Sequence, residues 1–181
     1  TGTHYQGGQV LNNYDAPLWK LPVFVKNGAI IPMYTENNNP EPITETNPNG
    51  LDKANRIIEF YPAGSTQYTV VEDDGDYVEN TITEVEGYGK VESINYGSRV
   101  ETLLTSEVEG DTATLTINKA EGTYNGFDKN KNTTFVVNVS KEPTKVTATN
   151  GAANLTIEKV TSKEAFDAAT PAAGKAVYFY D

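Results

Sequence analysis

Ala16-Pro-Leu-Trp-Lys-Leu-Pro-Val-Phe-Val-Lys-Asn-Gly-Ala-Ile-Ile-Pro-Met33 is the most apolar stretch of an otherwise polar chain. Apolar side chains recur at every second position over residues 21–25, which is the spacing of a β-strand. Asn27-Gly28 is the sequence favoured by a type I′ turn, because both central residues of that turn need positive φ. Residues 29–31 supply a second apolar run. The stretch therefore predicts a β-hairpin in which 29–31 returns along 21–25.

Two prolines restrict where this hairpin lies in a sheet. Pro22 and Pro32 have no backbone N–H and cannot donate to a ladder of hydrogen bonds. Such residues are expected on an edge strand or at a strand end, so Pro32 is predicted to end the second strand. The hairpin itself is predicted to be buried on at least one side.

The composition narrows the class of protein. The 181 residues suit one large or two small domains and are enough to bury a core. Lys and Arg number 14 against 25 Asp and Glu, and the net charge of −11 disfavours nucleic acid and anionic lipid as partners. The absence of cysteine excludes disulfides and thiolate metal sites. No apolar run approaches the ~20 residues of a membrane-spanning helix.

Many short strands at regular spacing predict an all-β fold built of antiparallel β-sandwiches. Predicted hairpins join 57–61 to 67–71, 81–86 to 90–96, 99–107 to 112–118 and 145–149 to 154–159, and single strands cover 133–139 and 177–180. Ala113, Leu115 and Ile117 alternate with threonines, which indicates one buried and one solvated face.

One short helix is predicted near the C-terminus. Thr161 followed by Glu164 forms a capping box, and Pro171 prevents the helix from continuing. Residues 34–55 are rich in Asn and Pro, which is typical of a long loop or linker. The chain is therefore predicted to divide into residues 1–54 and residues 55–181.

An acidic turn is the first candidate site. Glu72, Asp73, Asp74 and Asp76 place four carboxylates close together, and Ca²⁺ takes six to eight oxygen ligands. The spacing does not match an EF-hand loop. The alternative is a tight structural turn, in which Gly75 takes positive φ and the aspartates bond to nearby backbone amides. No other cofactor is indicated.

Aromatic side chains are the second candidate site, because exposed rings can stack on the C–H faces of sugars. Trp19, Tyr88, Tyr96 and Tyr124 fall at predicted loops or strand ends and are candidate glycan contacts. The alternative is that tyrosines fill strand faces and keep their hydroxyls in water. Tyr124 lies between two glycines, a setting that also suits a packed turn.

No catalytic residue is indicated within the chain. His4 is the only histidine, so neither a histidine-rich metal site nor a Ser-His-Asp arrangement is suggested. Retaining glycosidases need two carboxyl groups about 5–5.5 Å apart across a sugar. The adjacent carboxylates of the acidic turn at 72–76 cannot face each other across a sugar ring, so they are not predicted to form such a catalytic pair.

The run Leu21-Pro-Val-Phe-Val-Lys-Asn-Gly-Ala-Ile-Ile-Pro32 resembles the segment that follows the catalytic barrel in glycoside hydrolase family 31, which includes α-glucosidases, α-xylosidases and transglycosylases. Further similar segments lie upstream and downstream of this run, in the family order, over roughly the whole chain. They are Thr1–Gly8, Ile57–Gly64, Tyr68–Gly75 with its Glu-Asp-Asp-Gly motif, Gly122–Gly126, Thr133–Val139 and Pro143–Thr147.

The resemblance implies that residues 1–54 complete a proximal C-terminal β-domain with its linker and that 55–181 form a distal β-sandwich. The catalytic aspartates would then lie on an upstream barrel of the same polypeptide, which transfers or hydrolyses α-linked glycosyl groups. This chain would support that barrel, with carbohydrate as a further partner. An extracellular or cell-surface bacterial location fits the acidic, Asn- and Thr-rich composition.

The alternative is a free-standing carbohydrate-binding or Ig-like surface module. Such a module is expected to open with a complete first strand, whereas this sequence opens in the middle of a pattern, which favours part of a longer protein. We therefore expect the apolar face formed by Val23, Phe24, Val25 and Ile30 to be incompletely covered.

Overall fold

In the computed structural model, the described residues are 2–35, 41–45, 50–75 and 77–181, and their side chains are described except at 77–80 and 94–96. The described chain is all-β with one short helix, as predicted. Its elements are β1 Ile30–Tyr34, β2 Asn55–Phe60, β3 Ser65–Asp73, β4 Tyr77–Val85, β5 Gly89–Tyr96, β6 Arg99–Glu109, β7 Thr112–Ile117, β8 Glu121–Gly122, β9 Asn132–Val137, β10 Thr149–Asn150, β11 Ala153–Asn154, β12 Thr156–Lys159, α1 Lys163–Asp167 and β13 Lys175–Tyr178.

The chain forms two compact units, Thr1–Asn138 and Val139–Asp181. This division differs from the predicted one, since β1 and β2 pair across the position between residues 54 and 55. The assignment of 1–54 and 55–181 to proximal and distal family domains stays a prediction.

The first unit contains two sheets and a hairpin. One sheet has the order β1-β2-β9, in which β1 runs antiparallel and β9 parallel to β2. The second has the order β3-β6-β7, with the short β8 also paired to β6. Strands β4 and β5 pair only with each other among the described strands.

The core of the first unit joins its two sheets. Ile30, Ile58 and Phe60 come from the first sheet and meet Leu104 of the second. Phe60 is fully buried and its ring stacks on Phe135 with centroids 5.8 Å apart. Half-buried apolar side chains of β3 and β7 pack against this cluster, so the two sheets share one core.

The predicted hairpin over 21–33 is wrong. Residues 21–26 form no strand, and β1 pairs instead with β2 in a register that sets Ile30 opposite Phe60. The turn does exist, because Ala29 N donates to Lys26 O at 3.0 Å. Only Gly28 of its two central residues has positive φ, which is the pattern of a type II turn and not type I′. A type II turn does not match the twist of a two-residue hairpin.

Pro32 does not end its strand but lies within β1, opposite Ile58. The position is allowed because β1 is the edge of its sheet, as the sequence predicted for a proline-containing strand.

The predicted hairpin between 57–61 and 67–71 is also wrong, since β2 and β3 belong to different sheets. Strand β3 pairs with β6 over its full length, with Tyr68 opposite Leu104. Two hairpins are confirmed, β4–β5 and β6–β7. In β7, Leu115 and Ile117 are half-buried while the threonines are exposed, although Ala113 is exposed as well.

The second unit contains two small strand pairs. Of the predicted hairpin between 145–149 and 154–159, only the short strands β10 and β11 pair, with a turn at Gly151. The rest of that prediction is wrong, because 156–159 forms β12 and pairs with β13. Strands β12 and β13 run parallel, with α1 between them in the chain. The helix begins one residue later than predicted, because Ser162 and not Thr161 is the N-cap, and its Oγ accepts from Ala165 N at 3.1 Å.

Candidate functional site

The acidic turn is a structural turn at the end of β3. Asp73 Oδ1 accepts a hydrogen bond from Gly75 N at 3.0 Å, and Gly75 has φ of +82°. An aspartate that bonds to the amide two residues onward forms an Asx turn, and glycine adopts positive φ without strain. The structural alternative for this motif is therefore confirmed for these two residues.

Glu72 forms a buried ion pair that the sequence did not indicate. Lys131 Nζ lies 2.8 Å from Glu72 Oε1, and the two side chains are only 6 % and 10 % exposed. Lys131 Nζ also donates to the carbonyl oxygen of Lys53 at 3.0 Å. The partners are 59 residues apart in the chain. Only the fold, which brings the segment before β9 beside β3, could reveal the pair.

Two tyrosines lie in the electrostatic field of Glu72. We call Tyr34, Arg56, Glu72, Tyr124 and Lys131 the Glu72 cluster. Burial, followed by the charge of Glu72, raises the pKa of Tyr124 to about 12. Burial and Glu72 raise the pKa of Tyr34 in the same way. Burial lowers the pKa of Arg56, whose Nε donates to Thr133 Oγ1 at 2.9 Å.

The rings of Tyr124 and Phe127 contact each other and two lysines. The Tyr124 ring lies 5.4 Å from that of Phe127, and Lys53 Nζ lies 5.2 Å from the Tyr124 centroid. Lys131 Nζ in turn lies 5.5 Å from the Phe127 centroid. These distances suit cation–π contacts. Strand β8 approaches β6 closely just before Tyr124, because a Cβ on Gly122 would come within 2.2 Å of Arg99 O.

The raised pKa of Tyr124 predicts a loss of stability in alkali. A group whose pKa is higher in the folded state stabilises the protein below its unfolded pKa of 10.0, and this contribution disappears as pH rises towards about 12. Between those pH values, urea titrations should show a shallower fall in the free energy of unfolding for Tyr124→Phe than for the unchanged protein. Tyr68→Phe, at an exposed tyrosine, is the control. Identical pH profiles for all three proteins would contradict the prediction.

The candidate calcium ligands do not converge where the structure describes them. Glu72 is paired with Lys131, Asp73 is bonded within the turn, and Asp76 lies outside the described residues. No group of three or more His, Asp or Glu side chains in the described part of the chain is placed to hold a metal ion. Calcium binding by this turn stays a prediction.

The four candidate glycan contacts have different surroundings. Trp19 and Tyr88 are each 85 % exposed, as a stacking platform requires. Tyr124 is only 6 % exposed, so its proposed role as a surface platform is corrected: it packs beneath Phe127. The side chain of Tyr96 lies outside the described residues.

An exposed apolar segment precedes β1. It consists of Leu18, Trp19, Leu21 and Val23, and the least exposed of them, Val23, is still 73 % exposed. Phe24 and Val25 are exposed too, whereas Ile30 is buried in the core at 7 %. The expectation of an incompletely covered apolar face is therefore confirmed for residues 23–25, and wrong for Ile30.

Phe24 belongs to a cluster of three rings that the sequence reasoning missed. Its centroid lies 5.9 Å from that of Tyr5 and 5.4 Å from that of Tyr14, and the two tyrosines are 6.5 Å apart. Beside the tyrosines is an open cleft of about 480 Å³. The only sign of this cluster in the sequence was the presence of tyrosines in its polar first 15 residues.

No helix among the described residues is long and apolar enough to cross a membrane.

No protein-family model matches the chain, and no curated protein shows significant similarity to it. Membership of glycoside hydrolase family 31 is thus a proposal based on the resemblance of the quoted motifs.

Proposed function

We propose that this chain is a non-catalytic C-terminal β-domain region of an α-glucosidase-like glycoside hydrolase. In this role it packs on an upstream catalytic barrel of the same polypeptide and stabilises it. The observation that carries the proposal is the exposed apolar segment, which runs into the stretch that resembles the family sequence next to the barrel and shares Leu21 and Val23 with it.

The exposure of this segment supports a partner surface. Leu18, Trp19, Leu21 and Val23 are close in sequence and point large apolar side chains into solvent. Fully burying one such side chain contributes about 1.5–3 kcal/mol. Clustered exposed apolar side chains commonly mark interaction sites, whereas single ones need no explanation.

The chemistry of the acidic turn agrees with a supporting role. Glu72 and Asp73 already have partners within the chain, at 2.8 Å from Lys131 and 3.0 Å from Gly75 N. Neither is therefore available as a nucleophile or general acid, which would have to face its counterpart across a sugar. In the proposed enzyme both catalytic aspartates belong to the barrel.

The test uses the polypeptide that includes the barrel and, separately, this chain alone. We expect Leu21→Asp with Val23→Asp to lower the melting temperature of the two-part polypeptide, because each charge would be buried against the barrel. The same variant should leave this chain alone unchanged, since both side chains are exposed in it.

Ile82→Asp, at an exposed apolar residue of β4, is the matched control for both proteins. Hydrolysis of a nitrophenyl α-glucoside by the two-part polypeptide tests the activity. Absence of α-glycosidase activity, or a melting temperature that the double variant does not change, would refute the proposal.

The alternative function is a free-standing carbohydrate-binding or Ig-like module. The exposure of Trp19 and Tyr88, both at 85 %, favours it. Retention of this chain on an α-glucan affinity gel, lost in Trp19→Ala or Tyr88→Ala, would support the module. Stable association with a catalytic barrel would favour the first proposal.

A further inference from the structure

An open cleft lies next to the exposed apolar segment, near the start of the chain. Its volume is about 480 Å³, and it is open to solvent. The lining side chains that matter here are Tyr5, Asn12, Asn13, Tyr14, Asp15 and Lys20. None of them belongs to the sites predicted from the sequence.

The two tyrosines of the cleft are held by a third ring. Phe24 contacts both, at interplanar angles of 65° to Tyr5 and 57° to Tyr14, and does not itself line the cleft. The contact with Tyr5 is edge-to-face and the contact with Tyr14 is tilted. Edge-to-face ring pairs contribute about 0.5–1.5 kcal/mol beyond buried area. Tyr5 and Tyr14 nevertheless stay 44 % and 39 % exposed, so part of each ring is available to a ligand.

The polar side chains of the cleft have no partners in the described chain. Asn12, Asn13, Asp15 and Lys20 make no side-chain hydrogen bond or ion pair with any described residue. Asn13 has φ of +51°, a left-handed conformation that asparagine tolerates better than most residues. The turn at 12–13 therefore presents two amides with unused donors and acceptors beside two rings.

We propose that this cleft binds a neutral oligosaccharide. Sugar hydroxyls both donate and accept hydrogen bonds, and the cleft supplies amides that do both, a carboxylate that accepts and an ammonium that donates. The tyrosine rings offer apolar surface to the C–H faces of a pyranose. An anionic ligand is disfavoured by Asp15 and by the net charge of −11.

The choice of α-glucans as the first probes rests on the proposed function. The inference that the cleft binds a neutral oligosaccharide rests only on the side chains that line it. Calorimetric titration of this chain with maltoheptaose, isomaltotetraose and cellohexaose tests the inference. We expect at least one of them to bind, Tyr14→Ala to weaken it about tenfold or more, and Asp15→Ala to weaken it as well. Tyr14→Phe should retain most of the affinity, because the ring is kept.

Tyr68→Ala, at an exposed tyrosine of β3, is the control and should bind like the unchanged chain. Circular dichroism checks that each variant is folded. The inference is overturned if none of the three oligosaccharides binds, or if binding is unaffected by both cleft variants. Either result leaves the barrel-docking test unaffected, because that test measures melting temperature and hydrolysis.

Discussion

Lys131→Met is expected to lower the free energy of unfolding of the first unit by about 3–5 kcal/mol, because it leaves Glu72 buried without its cation. The lysine also donates to the carbonyl oxygen of Lys53, so a second polar group loses its partner. Urea titration measures the change in the free energy of unfolding. Hydrogen exchange of the amides in β3, which contains Glu72, and in β9, which follows Lys131, shows whether the loss is located there.

Two variants separate the buried pair from charge effects in general. Glu72→Gln combined with Lys131→Met removes both charges and should recover part of the loss, since no ion remains unpaired. Lys163→Met breaks the exposed pair between Lys163 and Asp167, whose side chains are 70 % and 53 % exposed. Because exposed ion pairs contribute little, this variant should change stability far less than Lys131→Met does. Equal effects of Lys131→Met and Lys163→Met would contradict the assignment.

Phe60→Ala is expected to lower the free energy of unfolding by about 3–5 kcal/mol, the usual cost of removing a buried phenylalanine. The side chain is fully buried, stacks on Phe135, and connects the two sheets through Leu104. Loss of hydrogen-exchange protection should therefore reach β2 and β6 together, although these strands are in different sheets.

The control for Phe60→Ala is Ile82→Ala, at an exposed side chain of β4, which should change stability by less than about 0.5 kcal/mol. Phe60→Leu should fall between the two, because it keeps most of the apolar volume. Deprotection confined to β2 would show that the sheets do not share this core.

The elements that the sequence predicted well are those whose partners are close in the chain. The hairpin β6–β7 combines a period-two pattern with a glycine turn, so its pairing is local information. The pairing of β3 with β6 was missed because the β4–β5 hairpin lies between them in sequence. The 21–33 hairpin failed because β2 gives Ile30 a buried neighbour, Phe60, which residues 21–25 do not.

The candidate sites also divide into those formed by residues close in the chain, which the sequence indicated, and those formed by distant segments, which it did not. The Asx turn at Asp73 depends on residues two apart and was foreseen as an alternative. The Glu72–Lys131 pair and the cluster of Tyr5, Tyr14 and Phe24 depend on segments that only folding brings together. Burial of Tyr124 follows from its contacts with Phe127 and Lys53, whereas the sequence alone left its exposure open.

Pro32 has a consequence for how any partner can approach the first sheet. Hydrogen-bonded pairs alternate along an antiparallel ladder, and Tyr61 N donates to Ala29 O, so position 32 directs its nitrogen away from β2. That nitrogen carries no hydrogen, and the free border of β1 therefore has a gap in its row of donors. Growth of the sheet by a strand from another molecule is disfavoured there, which protects the chain from edge-to-edge aggregation.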